Sequence, residues 1–260
     1  MRGVVLAGGF GTRMQPATLA TNKHLCPLYS TGDGAVPMIF YPINTLIRSG
    51  IEDILIISSK QHSGPIIENL GDGWNFEANF TYKVQDVAHV PLGIASALKL
   101  AKDFTRDEAF AVILGDNFYE DSFLGEFARF ESSDYAEAMI FLKQVPDPER
   151  FGVALVEESG PMIRVWLEEK PKKPKSNWAV TGLYLYKPLV YEIAEKFDVS
   201  ARGELEITDI NNHYCERGFI CVNYLKGFWG DMGVPESMSN TQNFIRESGF
   251  RMDYRYDEQK

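Results

Sequence analysis

An α/β fold built on a mostly parallel central sheet is the class this sequence predicts. Three observations carry the prediction. Short, fully apolar runs alternate with segments whose apolar residues recur at helical spacing. The first such run passes directly into glycines. The chain has 260 residues, 45% of them apolar and 24% charged, enough to bury a sizeable core. Continuous rather than alternating apolar runs indicate strands covered on both faces, the habit of parallel sheets.

The elements follow in chain order. Gly3–Leu6 reads as a first buried strand, and a helix is expected from about Pro37 to Ser49. Asp53–Ile57 (DILII) is a second buried strand, Gly64–Leu70 a helix and Phe80–Val84 a strand. Gly93–Phe104 has helical spacing, and Ala109–Leu114 is a buried strand that ends in Gly115-Asp116-Asn117. The second half is richer in strands: Ala138–Val145, Val153–Val156, Ile163–Glu168 and Ala179–Tyr186 all read as extended. Pro188 opens a helix to about Phe197, because proline suits a first helical turn. Thr208 and Asp209 lead a helix that stops at Gly218. A last helix follows Gly233-Val234-Pro235 and ends by Gly249. Ser30–Val36 reads as an exposed loop. So does the proline-broken stretch Lys170–Lys175 at Lys172, Lys173 and Lys175. No internal repeat and no low-complexity linker divides the chain, so one domain spanning residues 1–260 is expected.

Composition excludes several function classes. A net charge of −10 argues against nucleic-acid binding, which needs a basic surface. An acidic protein that handles phosphate needs local cations, and a metal ion is the usual supplement. The three cysteines, Cys26, Cys215 and Cys221, are odd in number and form no CxxC pair, which fits a reducing compartment. Cys26 is expected to pack as a small buried residue. The four histidines have no zinc-ligand spacing. The apolar run at the N-terminus is too short for a signal peptide, and no run approaches the roughly 18 apolar residues of a membrane span. A cytoplasmic protein with no nucleic-acid or membrane partner is expected.

The segment Leu6-Ala7-Gly8-Gly9-Phe10-Gly11-Thr12-Arg13 carries the strongest chemical signal. A buried strand runs into glycines that let the backbone approach a ligand and aim several N–H groups at it. Phosphate oxygens are natural acceptors for such groups. No Lys-Ser or Lys-Thr follows, so this is no P-loop, and the third glycine of GxGxxG is missing. A tight strand–loop connection is the plainer alternative. Arg13 and Lys23 favour the phosphate reading, since together they can hold the β- and γ-phosphates of a nucleotide.

Two carboxylates stand out further on. Asp116 ends a buried strand, and open α/β sheets bind ligands at the carboxyl ends of their strands. Either a metal ligand or a turn residue fits it. Asp231, between Gly230 and Gly233, reads either as a metal ligand or as a helix N-cap before Val234.

These segments resemble a known family. LAGGFGTRMQP and the following Asn22-Lys23-His24-Leu25-Cys26-Pro27-Leu28 are similar to the signature of sugar-1-phosphate nucleotidyltransferases, in particular the glucose-1-phosphate thymidylyltransferases. Pro37–Pro42, Ile54–Ile57, Leu114–Asn117, Pro148–Val153, Glu168–Pro171, Val180–Tyr184 and Ser200–Asp209 fit the same group, and the resemblance runs to about Phe244. It implies a Rossmann-like three-layer sandwich with a smaller, strand-rich sugar-binding part. Its nucleotide-binding part spans roughly residues 1–135, its sugar-binding part 136–232 and its last helix 233–249.

The resemblance also implies chemistry. Asp116 and Asp231 pair as ligands of Mg²⁺, which takes one or two carboxylates plus phosphates and waters. Leu6, Gly8, Gly9, Gly11 and Thr12 contact the nucleotide, while Arg13, Lys23 and Lys170 are the cations of the reaction. Gly152, Glu169, Val180 and Tyr184 line the sugar pocket with Lys170, and Arg202 contacts the sugar phosphate or braces its loop. Glu204 and Glu206 can cap the following helix. Gln85 and Gly93 match the positions that read the base, where an amide supplies both a donor and an acceptor to thymine or uracil. An edge-strand surface residue and a helix entry are the plainer readings of those two. The implied substrates are dTTP and a sugar 1-phosphate, and the implied assembly is a homo-oligomer. Longer members carry further C-terminal helices that serve an oligomer interface and a feedback site, so a short form is expected here. Three segments depart from the pattern. Asp86–Leu92 is longer than usual, Ser30–Val36 is an insertion, and Gly230-Asp231-Met232-Gly233 stands where Leu-Asp-Thr-Gly is commoner.

Overall fold

Thirteen strands and seven α-helices make up the described chain, in a computed structural model that describes residues 1–9, 11–32, 34–86, 88, 93–159, 162–197, 205–252 and 254. In order these are β1 (Arg2–Ala7), β2 (Pro27–Ser30), β3 (Gly34–Pro37), α1 (Phe40–Arg48), β4 (Asp53–Ser59), α2 (Ser63–Leu70) and β5 (Asn79–Gln85). Next come α3 (Ile94–Thr105), β6 (Phe110–Leu114), β7 (Asn117–Tyr119), α4 (Leu124–Glu131), β8 (Ala138–Gln144), β9 (Gly152–Ser159) and β10 (Met162–Glu169). The chain finishes with β11 (Trp178–Tyr186), α5 (Val190–Ala194), α6 (Ile207–Arg217), β12 (Ile220–Tyr224), β13 (Trp229–Asp231) and α7 (Pro235–Ser248). Two compact units share them.

The first unit comprises residues 1–86, 112–125 and 227–260. Its sheet is parallel, as the apolar runs predict. Val5 pairs with Ile56 across β1 and β4, and Ile56 with Tyr82 across β4 and β5. Val4, Val5, Ile54, Leu55 and Ile56 have no exposed surface. Fully burying each such side chain stabilises the fold by about 1.5–3 kcal/mol. Phe118 on β7 lies under Tyr41, Phe228, Phe244 and Phe250 at ring separations of 4.9–5.9 Å, tying α1 and α7 to that strand.

The second unit comprises residues 87–111 and 126–226. Here β8 is central, antiparallel to β11 and parallel to β12. β9 and β10 form an antiparallel hairpin, and β9 joins β11 through the pairs Ala154–Trp178 and Gly152–Val180. Helix α6 packs on β10 and β12.

The α/β class and the parallel core therefore stand, while the strand-rich half is chiefly antiparallel. One expectation fails. Ser30–Val36 is not an exposed loop throughout: Ser30 closes β2, Val36 lies in β3, and both side chains are buried. Gly32 and Gly34, at φ +102° and +76°, supply the left-handed backbone that this hairpin needs. The helix expected from Pro188 to Phe197 is the shorter α5. Elements β7, α4, β12 and β13 add to those expected. Among the described residues no helix is long and apolar enough to cross a membrane.

Candidate active site

In the first unit the glycine-rich turn leaves the end of β1, with Leu6 buried in the strand. Gly11 sits at φ +66°, and its carbonyl accepts a 2.7 Å hydrogen bond from the Thr18 hydroxyl. It leads into a single turn, Thr12–Met14, on which Thr12 and Arg13 are exposed. The bare faces of these glycines are occupied by side chains from elsewhere. A Cβ on Gly8 would lie 2.9 Å from Gln85 Oε1, and one on Gly9 would lie 3.4 Å from Lys23 Nζ. Gln85 and Lys23 thus meet the loop at consecutive positions. Gln85 ends β5, buried although its neighbour Val84 is exposed, so it is no surface residue of an edge strand.

Asp116 follows β6, as its strand-end position predicts. Lys23 Nζ pairs with Asp116 Oδ2, with only 11% and 9% of the two side chains exposed. Asn117 Nδ2 donates to Asp116 Oδ1 at 3.1 Å. The Asn117 carbonyl accepts from Trp229 Nε1 at 2.8 Å and Tyr119 OH at 3.3 Å, which fixes the orientation of the amide. Burial alone pushes the Asp116 carboxyl up. The Lys23 ammonium, His24 and hydrogen bonds from Lys23 and Asn117 outweigh it, holding the group well below the usual carboxylate range.

His24, next to Lys23 in the chain, is buried. Burial, reinforced by the Lys23 charge, drives it down to about 3, so the ring is neutral. Its Nδ1 lies 2.7 Å from Asn22 Oδ1, an acceptor only, so Nδ1 carries the proton. The same Asn22 oxygen accepts the His24 backbone N–H at 2.7 Å and caps the turn that carries Lys23. Asp231 ends β13 opposite Asn117, and Met232 N–H donates to the Asp116 carbonyl at 2.8 Å. The N-cap of α7 is Val234, without a side-chain cap bond, so Asp231 is not that cap. Asp116, just before β7, and Asp231, at the end of β13, therefore lie beside each other at one end of this two-stranded ladder. A Cβ on Gly233 would lie 2.9 Å from Arg13 Nη2 and 3.2 Å from Asp231 Oδ1, so both side chains border that glycine.

The second unit brings together a different set. Gly152 pairs with Glu169 on β10 and with Val180 on β11, placing the three on one row. A Cβ on Gly152 would meet Glu169 Oε2 and Thr208 Oγ1 at 3.5 Å and Val180 at 3.7 Å. Thr208 at the start of α6 donates to Glu169 Oε2 at 2.6 Å. Tyr184 is buried, and its phenol is pushed up by burial and by the nearby Glu169 charge. Lys170 takes φ +44°, anchored by its N–H to the Phe151 carbonyl at 3.0 Å, and its Nζ lies 3.5 Å from Glu169 Oε1. Gly93 caps α3 at φ +115°, a conformation that favours glycine.

Some expectations meet limits. Arg202 and Glu204, and positions 87 and 89–92 of the lengthened segment, lie outside the described residues. Glu206 occupies the N-cap position of α6 but makes no side-chain cap bond. The sequence reading missed Asn22, His24, Asn117, Thr208 and Gly233. The first four lie inside motifs already singled out and are polar residues beside a functional one, which was the available signal. Gly233 gave none.

Comparisons with known proteins show the family. The sequence pattern described as Nucleotidyl transferase matches residues 2–248. The chain is 41% identical over 249 residues to a glucose-1-phosphate thymidylyltransferase of Neisseria meningitidis serogroup A, covering 95% of this chain and 83% of the relative. A Bacillus anthracis structure assigned as a glucose-1-phosphate thymidylyltransferase, solved with sucrose, superposes with a TM-score of 0.86 at 42% identity. That match covers 97% of this chain and 98% of the other. A UDP-glucose pyrophosphorylase solved with UDP-glucose has the same fold, with a TM-score of 0.78 at 23% identity over 95% of this chain and 98% of that one. With a strand-end carboxylate, a paired lysine and a glycine-rich turn set in a pattern matched over nearly its whole length, this chain belongs to the nucleotidyl transferase family and is a nucleotidyltransferase.

Proposed function

We propose that the enzyme transfers a nucleotidyl group from dTTP to α-D-glucose 1-phosphate, giving dTDP-glucose and pyrophosphate. The observation that carries this reading is the meeting of Gln85 and Lys23 on Gly8 and Gly9. An amide suited to a pyrimidine edge and a cation suited to phosphate share one loop. The 41% identical thymidylyltransferase supports the choice of base and sugar.

The chemistry needs no general base, because the sugar phosphate is already an anion. Its oxygen attacks the α-phosphorus, the bond to the bridging oxygen breaks, and pyrophosphate leaves in line. Catalysis then consists of positioning and charge neutralisation. Arg13 and Lys23 hold the leaving pyrophosphate, Lys170 holds the attacking phosphate, and Glu169 accepts sugar hydroxyls. Tyr184 and Val180 wall the sugar, and Gly152 leaves room for it. Arg202 is assigned to the sugar phosphate by resemblance alone.

The donor set fits Mg²⁺. Asp116 and Asp231 offer two hard-oxygen carboxylates on neighbouring strand ends, joined by the backbone bond from Met232 to Asp116. An ion completed by phosphate oxygens and water needs just that. When bound, Mg²⁺ would neutralise charge on the α-phosphate. We place the reaction in the cytoplasm, since both substrates are charged and do not cross a bilayer unaided.

The test is pyrophosphate release with Mg²⁺ and glucose 1-phosphate, comparing dTTP, UTP, CTP, ATP and GTP. Fast release with dTTP supports the proposal. Faster release with UTP favours a second reading, since thymine and uracil present the same edge to Gln85. No release with any of the five, nor with other sugar phosphates, would leave a nucleotide-sugar binding protein.

A further inference from the structure

Gly233 stands between β13 and the N-cap of α7, and it is buried. Its φ lies outside the left-handed region, so the backbone there suits any residue. What this position requires is the absence of a side chain. A Cβ would lie 2.9 Å from Arg13 Nη2 and 3.5 Å from Arg13 Cζ, inside ordinary van der Waals contact at the first of these atoms. The obstructing group is the far end of a long, exposed side chain. It can swing away at little cost to the fold, so an added methyl group would be accommodated by displacing the guanidinium.

We propose that Gly233 is a positioning residue: its bare Cα is the seat against which the Arg13 guanidinium lies while it holds pyrophosphate. The inference rests on the role proposed above for Arg13. It extends to Gly233 a use of glycine visible in the turn itself, where Gly8 receives Gln85 and Gly9 receives Lys23. Those two lie in the glycine-rich turn after β1, whereas Gly233 follows β13, far along the chain. A competing route exists, because the same Cβ would come within 3.2 Å of Asp231 Oδ1. The two routes predict different coupling.

A double-mutant cycle separates them. Wild type, Gly233→Ala, Arg13→Ala and the double variant are titrated calorimetrically with magnesium pyrophosphate, a probe independent of base and sugar. Thermal unfolding of each protein is followed in parallel. Gly233→Ala is expected to weaken pyrophosphate binding about tenfold in the wild-type background and less than about twofold in the Arg13→Ala background. Its melting temperature should stay within about 2 °C of wild type, as for a change that strains no backbone and opens no cavity. Equal losses in both backgrounds overturn the proposal, since Gly233 would then act through Asp231 or the fold. Full-strength binding by Gly233→Ala, while Arg13→Ala binds poorly, also overturns it and leaves the role of Arg13 intact. Normal binding by Arg13→Ala removes both. If Gly233→Ala unfolds at a lower temperature, Arg13→Lys with and without Gly233→Ala repeats the cycle using a head that lacks Nη2.

Discussion

At the scale of single residues, the site is an exercise in keeping charge where it is needed. Asp116 stays ionised in a buried place because Lys23 and Asn117 engage its two oxygens. In the proposed reaction Arg13 holds the leaving pyrophosphate, so Arg13→Ala should lower turnover at least about a hundredfold, the scale for removing one strong electrostatic contact. Near-normal steady-state rates would sink that assignment. Thr208 donates to Glu169 Oε2 and so orients the carboxylate proposed to accept sugar hydroxyls. Thr208→Val should raise KM for the sugar phosphate about tenfold, the loss of a hydrogen bond to a charged group, while KM for the nucleotide stays within about twofold. His24 gives a pH signature. Its folded pKa lies near 3, below the ordinary histidine value, so only the unfolded chain takes up the proton as pH falls. The stability it contributes is complete above about pH 6.5 and is lost on acidification toward 3, at roughly 1.4 kcal/mol per pH unit. Urea unfolding at pH 7 and pH 5 should therefore show a shallower decline in His24→Gln than in wild type. Asp116, whose pKa is also depressed, contributes to acid loss only below the ordinary carboxylate range, outside this window. Parallel declines in the two proteins would show that His24 is not held neutral.

Elements bring these residues together through close contacts that leave no slack. β13 carries Asp231 to the rung beside Asn117, and α7 packs against β13. A Cβ on Gly230 would lie 2.1 Å from Thr241 Oγ1, and Thr241 is itself fully buried and bonded to the Ser237 carbonyl at 2.9 Å. Gly230→Ala should therefore destabilise the protein by about 1–3 kcal/mol through overpacking, and Thr241→Ala should recover part of it. Denaturant midpoints of the two single variants and the double variant provide the check, and strict additivity would contradict it. The same helix meets β2, where Arg246 lies 5.3 Å over the ring of Tyr29. The β2–β3 hairpin thus belongs to the packed body of its unit. The polar and glycine residues of Ser30–Val36 signalled a loop, and only the pairing of Leu28, Tyr29 and Ser30 with Val36, Ala35 and Gly34 shows that much of it is strand.

For the molecule as a whole, the net charge of −10 makes binding of a triphosphate depend on cations that the chain does not hold in surplus. Stability should therefore respond to substrate and metal together. At about one hundred times its dissociation constant, a ligand adds roughly 2.7 kcal/mol, or a rise of about 5 °C in Tm for a chain of this size. Adding dTTP with Mg²⁺ should give a shift of that order, and dTTP with EDTA a much smaller one. Thermal scans read both directly, and equal shifts with and without the metal would count against the assignment of Asp116 and Asp231.

The amino-acid sequence by itself determined the parallel core, since the runs of β1, β4 and β6 are too apolar to face water on either side. It also marked the glycine-rich turn as a candidate phosphate site, because glycines after a buried strand, followed by Arg13 and Lys23, suit phosphate oxygens. The positions of Asp116 and Gln85 were legible because each ends a strand. Tertiary structure decided what no local pattern encodes. It set Asp231 beside Asn117 rather than at a helix cap, gave Thr208 to Glu169, buried His24, and left Gly233 bare against Arg13. Apart from the burial of His24, each of these joins residues far apart in the chain. Periodicity reports only which face of one element is apolar, and the partner of a face is fixed when distant elements pack together.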